Sequence, residues 1–338
     1  LTVGTLTPQI DIKENPYTGN SIALHDESLP YRLHGKGSKR LMSIAIQMSM
    51  ANQGGIALID EIEQGLEPDR IVTLTRIFKE ISKGQVFITT HSMNVVLEAT
   101  ATNLFILNRG ENKLAHVEAE LDNCRRSNPQ AFFGKKLIVC EGKTEYGFLR
   151  ELDMRLEKKY NANFSTKGVV VINAGGGNKM YTYALKLKKL GYEVCVFADN
   201  DASTQMTKII DSVRNEGIRL FLCKEGSCFE KEVIYSISWN AFCALTQCEE
   251  IDFPYQHIRI AEDLKNRIIL GASIQEQDKI REEILQMAIK DSKEWFKHIP
   301  GGEYLGSIVL DDIENIPNDN NLKKNIVELI NWCGFGKN

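Results

Sequence analysis

Short apolar runs alternate with segments of helical spacing through the first third of the chain. The segment at 68–82, for example, repeats its apolar residues at intervals of three and four, which places them on one helix face. Residues 1 to about 34 instead carry turn formers and little periodicity. Alternating strands and helices favour a parallel sheet covered by helices on both faces. The predicted elements are helices at 39–51, 68–82 and 94–99 and strands at 56–60, 85–90 and 104–107.

The alternation stops at 118–133, a polar stretch that predicts a linker, and then restarts. Beyond Phe229 the spacing is mostly helical to the end of the chain. The predicted fold class is therefore α/β, with two successive sheet units and a helical C-terminal region. The later elements are strands at 136–140, 168–173, 193–198 and 218–223 and helices at 144–158, 178–190 and 204–215. The expected domains are 1–120, a linker at 121–134, a unit at 135–310 that includes a helical insertion, and a helical tail at 311–338.

The composition, 43% apolar and 25% charged over 338 residues, is that of an ordinary globular protein. The formal net charge is −4, so any binding to nucleic acid has to come from a local patch or from metal ions. No apolar run approaches the ~20 residues of a membrane helix, and no signal peptide opens the chain. We therefore expect a cytoplasmic protein without membrane association. Because the first residue is Leu1, we also expect this chain to start inside a longer protein.

Eight cysteines are present, and none of them forms a CxxC pair. We interpret them as reduced structural residues of a cytosolic protein. A zinc site built from Cys223 and Cys228 together with Cys243 and Cys248 is the less favoured alternative.

Two carboxylates, Asp60 and Glu61, end the predicted strand at 56–60. Ligands bind at this edge of an open parallel sheet. An Asp in this place can hold Mg²⁺ through its water shell, and the following Glu can polarise a water for attack on a γ-phosphate. The next strand leads to His91, which can sense the same phosphate. A glycine-rich turn at 35–41 opens the preceding helix, whose free N–H groups favour an anion.

The order of these pieces resembles the second half of an ABC-type ATPase. The resemblance identifies a signature motif with Gly35, Gly37 and Ser38, a Walker B motif with Asp60 and the catalytic Glu61, a D-loop at 65–69, and His91 as the switch histidine. The phosphate-binding pattern GxxxxGK[ST] does not occur in the sequence. We therefore expect that the N-terminal half of the ATPase lies outside this chain, and that the chain alone neither binds nor hydrolyses ATP well.

Four acidic residues follow two strands of the second unit. Glu141 ends the strand at 136–140, and Glu145 lies in the first turn of the helix after it. Asp199 and Asp201 follow the strand at 193–198, and residues two apart at a strand tip point the same way. Four acids at one sheet edge repel one another unless cations lie between them. Hard oxygen ligands suit Mg²⁺, Mn²⁺ or Ca²⁺.

The strand–EGKTE and strand–DND strings together resemble the TOPRIM fold of topoisomerases, primases and some nucleases. An ABC-type half followed by a TOPRIM unit is the architecture of the overcoming-lysogenization-defect (OLD) nucleases. The chain resembles this family over about residues 30–310, and it is similar to the nuclease subunit of the Gabija phage-defence system.

The resemblance implies a two-metal site for Mg²⁺ or Mn²⁺. One ion would be held by Glu141, Glu145 and Asp199, with Glu141 also implied as a catalytic residue that handles protons. The other would be held by Asp201 and a downstream glutamate.

That downstream glutamate matches Glu230, and Glu232 remains open as an alternative. The resemblance further implies a late catalytic lysine near the scissile phosphate. Lys297, which precedes His298 and a pair of glycines, is the best match. Such a lysine would stabilise the developing charge on the phosphate.

The expected function is a metal-dependent DNA endonuclease regulated by an ABC-type ATPase, in anti-phage defence, with ATP as a cofactor of the full-length protein. The expected partners are DNA, further copies of the chain in a dimer or tetramer, the missing ATPase half and a helicase-like defence protein. Two alternatives remain open at this point. One is a TOPRIM ribonuclease that cleaves tRNA, and the other is a non-catalytic ATP-dependent scaffold for DNA maintenance.

Overall fold

The computed structural model divides into two compact units, residues 1–100 and residues 101–338. The residues that the structure describes are 6–11, 21–27, 29–81, 83–108, 113–200, 207–246, 262–269, 273–290 and 295–336. Among the described helices, none combines the length and the apolarity needed to cross a membrane.

A parallel strand pair lies at the centre of the first unit. The strands of the first unit are β1 (Leu6–Asp11), β2 (Ser21–Asp26), β3 (Leu29–Pro30), β4 (Ile56–Ile59) and β5 (Gln85–Ile88). The helices of this unit are α1 (Lys36–Asn52), α2 (Pro68–Phe78) and α3 (Met93–Glu98). Strands β4 and β5 run parallel with Ile59 opposite Ile88, as the sequence pattern predicts. Apolar residues of the three helices pack against β4 and form a small core: Leu41, Ile44, Ile59, Ile62, Ile71, Leu74 and Val95.

The other face of the β4–β5 pair is apolar and exposed. Ile56, Leu58 and Phe87 all lie on it, and the exposed fraction of Leu58 is 71%. Parallel sheets are normally covered on both faces, because their strands are apolar on both. In the described part of the chain, the prediction of helices on both faces of this sheet therefore holds for one face only.

The sequence pattern missed the antiparallel sheet near the N-terminus. Strand β1 pairs with β2, with Ile10 opposite Ile22, and β2 pairs with β3. Ile10 and Ile22 are both largely exposed. Strands that face water carry a weaker apolar signal than buried parallel strands, and the turn formers between them dominate the pattern.

The second unit contains the predicted four-stranded sheet and most of the helices. Its strands are β6 (Phe105–Asn108), β7 (Lys113–His116), β8 (Lys136–Cys140), β9 (Val169–Asn173), β10 (Glu193–Ala198) and β11 (Arg219–Leu222). Its helices are α4 (Asp122–Ser127), α5 (Lys143–Tyr160), α6 (Lys179–Lys189), α7 (Thr207–Asn215), α8 (Phe229–Ser236), α9 (Trp239–Thr246), α10 (Glu262–Ile269), α11 (Ile274–Lys290), α12 (Ile299–Asp311) and α13 (Asn321–Trp332).

The four parallel strands are ordered β11–β10–β8–β9. The chain leaves β8 toward β9 on one side and then crosses to β10 on the other side. The carboxyl ends of β8 and β10 therefore flank a topological switch point, which is where open α/β sheets bind their ligands.

Two segments near the start of this unit differ from the sequence interpretation. Strand β6 pairs antiparallel with β7 instead of extending the first parallel sheet, and it belongs to the second unit. The stretch at 121–134, predicted as a linker, is packed into the same unit. Within it, Arg125 is buried in an ion pair with Asp122, and the side chain of Asn128 exchanges two hydrogen bonds of 3.1 Å with the backbone of Asn173.

Three buried phenylalanines meet beneath the carboxyl edge of the sheet. Phe148 comes from α5, Phe197 from β10 and Phe229 from α8, and their ring centroids are 5.1–5.7 Å apart. Aromatic pairs at these distances add stabilisation beyond the area that they bury. The contact fixes the relative positions of the three segments that carry the predicted acidic residues.

Helices α5 and α12 approach each other at glycines. A Cβ atom on Gly147 would lie 2.1 Å from the carbonyl oxygen of Ile299, and one on Gly302 would lie 2.1 Å from that of Thr144. Any larger residue at either position would therefore meet backbone that cannot move away. This contact holds the start of α12, and the segment before it, against the first turn of α5.

We expect Gly302→Ala to destabilise the second unit by about 2 kcal/mol or more, because the added methyl group overpacks a backbone contact. Urea unfolding can be followed by tryptophan fluorescence, since all three tryptophans lie in this unit. Ser307→Ala in the same helix is the control, because it removes only a local hydrogen bond to the carbonyl of Tyr304. Equal stability of the two variants would contradict the close helix contact.

Candidate functional site

Glu141 and Asp199 both lie at the switch point of the second sheet. Cys140, the last residue of β8, pairs with Phe197 of β10, so Glu141 and Asp199 follow on adjacent strand ends. Glu141 is half-buried, and its carbonyl accepts a hydrogen bond of 2.8 Å from the N–H of Gly176, in the turn after β9. The structure thus brings the first two predicted acids to the ligand-binding edge.

Asp199 also connects the sheet to helix α8. Its Oδ1 atom accepts a hydrogen bond of 2.6 Å from the N–H of Phe229, the first residue of the helix. Acidic groups are stabilised near a helix N-terminus by the unpaired N–H groups and the helix dipole. Asp199 therefore orients the helix that carries the next predicted acid.

Glu145 is the most deeply buried predicted acid, with an exposed fraction of 4%. Its Oε2 atom accepts a hydrogen bond of 2.9 Å from the N–H of Gly142, across the first turn of α5. Burial, with smaller contributions from the nearby charges of Glu230 and Glu141, raises the pKa of Glu145 to about 7. The raised pKa marks a carboxylate whose negative charge the surrounding protein does not neutralise.

The two candidates for the downstream glutamate have different environments. Glu230 lies near Glu145, whose pKa it raises, and its Oε1 atom is 3.3 Å from the Thr144 hydroxyl. Glu232 instead accepts hydrogen bonds from the N–H of Lys224 at 3.1 Å and from the side chain of Asn321 at 3.0 Å. Glu232 therefore connects α8 to the loop after β11 and to α13. Glu230 instead lies near the acidic cluster, by which we mean Glu141, Glu145 and Asp199.

The pKa values of two cysteines, Cys223 and Cys228, are raised by burial and by the negative charges of these acidic residues. Burial raises the pKa of Cys223, and the charges of Asp199, Glu232 and Glu145 raise it further. Burial likewise raises the pKa of Cys228 to about 12, with contributions from Glu230 and Asp199. Among the described residues, no three potential ligands are arranged to hold a metal ion around these cysteines, so the zinc alternative gains no support. The zinc alternative also requires Cys243, which is half-buried, and Cys248, which lies outside the described residues.

Carboxylate oxygens are the donors that a hard divalent cation requires, and Glu141, Glu145, Asp199 and Glu230 supply them. Within the described ranges, no three Asp, Glu, His or Cys side chains are already arranged to hold a metal ion. Asp201, the fifth predicted ligand, lies outside the described residues. The acids present fit Mg²⁺ or Mn²⁺ in donor chemistry and in charge.

Lys297 and His298 precede α12, in the segment that the glycine contact holds against α5. Lys297 is exposed. His298 caps the helix, since its Nδ1 atom accepts a hydrogen bond of 2.9 Å from the N–H of Gly301. Burial lowers the pKa of His298, and the positive charge of Lys143 lowers it further. His298 therefore has a structural role as a neutral cap, and Lys143 lies near this segment.

In the first unit, Asp60 and Glu61 follow β4 and are held by the neighbouring strand. The Thr89 hydroxyl donates to Asp60 Oδ1 and accepts a hydrogen bond of 2.9 Å from the N–H of Glu61. Glu61 has a φ of 44°, a left-handed conformation that non-glycine residues seldom adopt. Such outliers cluster at functional sites. Both carboxylates are exposed at the carboxyl edge of the strand pair, as predicted.

The segment at 35–41 is predicted as a glycine-rich turn, but it is helical from Lys36 onward, and Gly35 alone precedes the helix. Gly35 precedes α1, and Gly37 lies against the backbone of Gly65 in the predicted D-loop. The carbonyl of Ser38 accepts a hydrogen bond of 2.9 Å from the Tyr31 hydroxyl. His91 is exposed, and its N–H donates to Glu63 Oε1 at 2.6 Å.

Sequence reasoning missed several residues that organise these sites. Arg40 donates hydrogen bonds to the carbonyls of Asp60 and Glu61, which connects α1 to the end of β4. Burial raises the pKa of Glu63, but hydrogen bonds from His91 N–H and the Thr90 hydroxyl outweigh it and lower that pKa. Arg40 lies within the segment at 35–41, and Glu63 lies two residues after Glu61, yet only their contacts reveal their roles.

Two family models match the chain. Residues 5–98 match the model described as "AAA domain, putative AbiEii toxin, Type IV TA system". Residues 132–201 match the model of the "Overcoming lysogenization defect protein-like, TOPRIM domain". These matches confirm the resemblance to the OLD family, with an ATPase-like region followed by a TOPRIM region. The second match ends at Asp201, so Glu230 and Lys297 rest on motif resemblance and on their position in the structure.

One solved structure, the C-terminal region of the OLD protein of Xanthomonas campestris pv. campestris, aligns with 60% of this chain and 96% of its own length. The two are 16% identical, and the TM-score is 0.38. The family matches carry the assignment, and this alignment adds nothing to it. No curated protein matches the chain.

We expect the stability of the metal-free protein to fall as the pH rises from about 4.5 to 7, because the folded state holds the Glu145 proton more tightly than the unfolded state. Glu145→Gln removes this titration. The free energy of unfolding of this variant should equal that of wild type at pH 4.5 and exceed it by about 1–3 kcal/mol at pH 8.

The measurement is urea unfolding in EDTA, followed by tryptophan fluorescence across this pH range. The exposed Glu328→Gln in α13 is the control, because it removes a carboxylate and leaves the Glu145 titration in place. A constant difference between Glu145→Gln and wild type would show that Glu145 does not have the raised pKa.

Proposed function

We propose that the second unit is a metal-dependent nuclease centre that cleaves DNA. The observation that carries this proposal is buried Glu145, whose pKa is raised to about 7 by burial and by the charges of Glu230 and Glu141, beside the switch point where Asp199 follows the neighbouring strand. The buried negative charge of Glu145 costs stability, and a bound cation would offset that cost.

The residues of the second unit would have the following roles in cleavage. Glu141, Glu145, Asp199 and Glu230, with Asp201, would hold the divalent ions. When bound, such ions lower the pKa of the attacking water and stabilise the leaving 3′ oxygen. Lys297 would contact the phosphate and stabilise its developing negative charge. Glu141, at the strand end, would accept the proton of the attacking water.

The first unit would supply ATP-dependent regulation. Asp60, Glu61 and His91 lie at the carboxyl edge of the strand pair, where they could act on a nucleotide. The exposed apolar face that includes Ile56, Leu58 and Phe87 supports a sheet that is completed by further polypeptide. We place the activity in anti-phage defence, with a homo-oligomer as the working form, on the resemblance to the OLD family alone.

Asp199→Asn should reduce cleavage of supercoiled plasmid in Mg²⁺ or Mn²⁺ by about 10²–10³-fold, because a charged ligand is lost at the centre of the site. The asparagine oxygen can still accept the hydrogen bond from Phe229 N–H, so loss of the charge should cost at most about 1 kcal/mol of stability. Asp211→Asn on the exposed face of α7 is the matched control and should cleave like wild type.

Linear DNA and tRNA should be tested as substrates alongside the plasmid in the same cleavage assay. Cleavage of tRNA without cleavage of DNA would make the ribonuclease alternative the better account. If Asp199→Asn cleaves plasmid at the wild-type rate, Asp199 is not a residue of the nuclease centre. A wild type that leaves all three substrates intact would favour the scaffold alternative.

Glu230→Gln should lose most of the thermal stabilisation that Mn²⁺ gives wild type by binding the native state. Glu232→Gln should keep that stabilisation although it melts at a lower temperature, because Glu232 bonds to Lys224 and Asn321 and not to the acidic cluster. Melting curves with and without Mn²⁺ compare the two variants. The reverse result would assign the metal ligand to Glu232.

A further inference from the structure

Thr144 lies between two of the predicted metal ligands in sequence and is buried, with an exposed fraction of 4%. Its hydroxyl oxygen is 3.0 Å from the carbonyl oxygen of Phe296 and 3.3 Å from Oε1 of Glu230. A threonine hydroxyl has one proton to donate, so these two acceptors share a single donor. One side chain in the first turn of α5 thus contacts both the start of α8 and the segment before α12.

The backbone of Thr144 is held as firmly as its side chain. Its carbonyl faces Gly302, where a Cβ atom would lie only 2.1 Å away. Glu145, the next residue, is fixed by the hydrogen bond from Gly142 N–H. The hydroxyl of Thr144 therefore projects from a rigid turn toward Glu230 and toward the residue that precedes Lys297.

We propose that Thr144 is a positioning residue that holds the Glu230 carboxylate and the Lys297 segment in register with Glu145 for metal and phosphate binding. The inference rests on the proposed function, because it concerns the same centre. Groups that hydrogen-bond to a metal ligand orient it, and their loss typically weakens metal binding by about 10–100-fold. Thr144 would act through Glu230 and would not touch the reacting atoms.

Thr144→Val keeps the shape of the side chain and removes the hydroxyl. We expect it to weaken Mn²⁺ binding, measured by calorimetry without nucleic acid, by about tenfold or more. The Mn²⁺ concentration for half-maximal plasmid cleavage should rise by a similar factor. Thr144→Ser, which keeps the hydroxyl, should bind Mn²⁺ within about threefold of wild type.

Thr75→Val is the matched control. Thr75 is also buried, but its hydroxyl bonds to the carbonyl of Ile71 within helix α2 of the first unit. Its loss should leave Mn²⁺ binding unchanged. Thr144→Cys, which retains a weak donor of similar size, replaces Thr144→Val if that variant does not fold, and it should weaken binding severalfold.

A merely structural role would lower the melting temperature of Thr144→Val and leave its Mn²⁺ affinity at the wild-type value, which would overturn the inference. Wild-type affinity in Thr144→Cys, if that variant is used, would do the same. If wild type binds Mn²⁺ and cleaves DNA while Thr144→Val does both equally well, only the role of Thr144 is wrong. If wild type neither binds Mn²⁺ nor cleaves DNA, the nuclease proposal fails and the inference fails with it.

Discussion

The contact among Phe148, Phe197 and Phe229 determines where the acidic residues of the second unit lie. Each ring is buried, and each is one to three residues from a candidate ligand: Glu145, Asp199 and Glu230. Burying a phenylalanine side chain stabilises a fold by about 1.5–3 kcal/mol, and the three rings also attract one another. The apolar core is thus strong enough to hold together carboxylates that would otherwise separate.

The repulsion that remains is concentrated on Glu145. The negative charge of Asp199 is stabilised by the N-terminus of α8, and Glu232 accepts hydrogen bonds from two donors. Glu145 is buried, and its hydrogen bonds from the backbone N–H groups of Gly142 and of Glu145 itself do not outweigh burial and the charges of Glu230 and Glu141. Its raised pKa follows from this difference. A cation placed among these acids would neutralise the same charge that destabilises the metal-free fold, so stability and metal binding are linked at one residue.

The sequence predicted the strands, the order of the motifs and the sheet edge at which Glu141 and Asp199 meet, because buried parallel strands have a strong apolar pattern and their carboxyl ends share one edge. It could not separate Glu230 from Glu232, since both lie in the first turn of the same helix and differ only in their partners. Thr144 was hidden for a similar reason, because its role depends on Phe296, which is distant in sequence. The N-terminal strands and the packed segment at 121–134 lacked an apolar period that would distinguish them from loops.

The two units differ in how completely the described chain forms their cores. The second unit surrounds its sheet with helices, and its described candidate ligands and Lys297 all lie within it. The first unit leaves an apolar strand face exposed around Leu58 and Phe87. The candidate metal chemistry therefore needs no described side chain from the first unit. If ATP controls cleavage, it is expected to act through access to the centre or through assembly of several chains, and not by supplying a ligand to the metal.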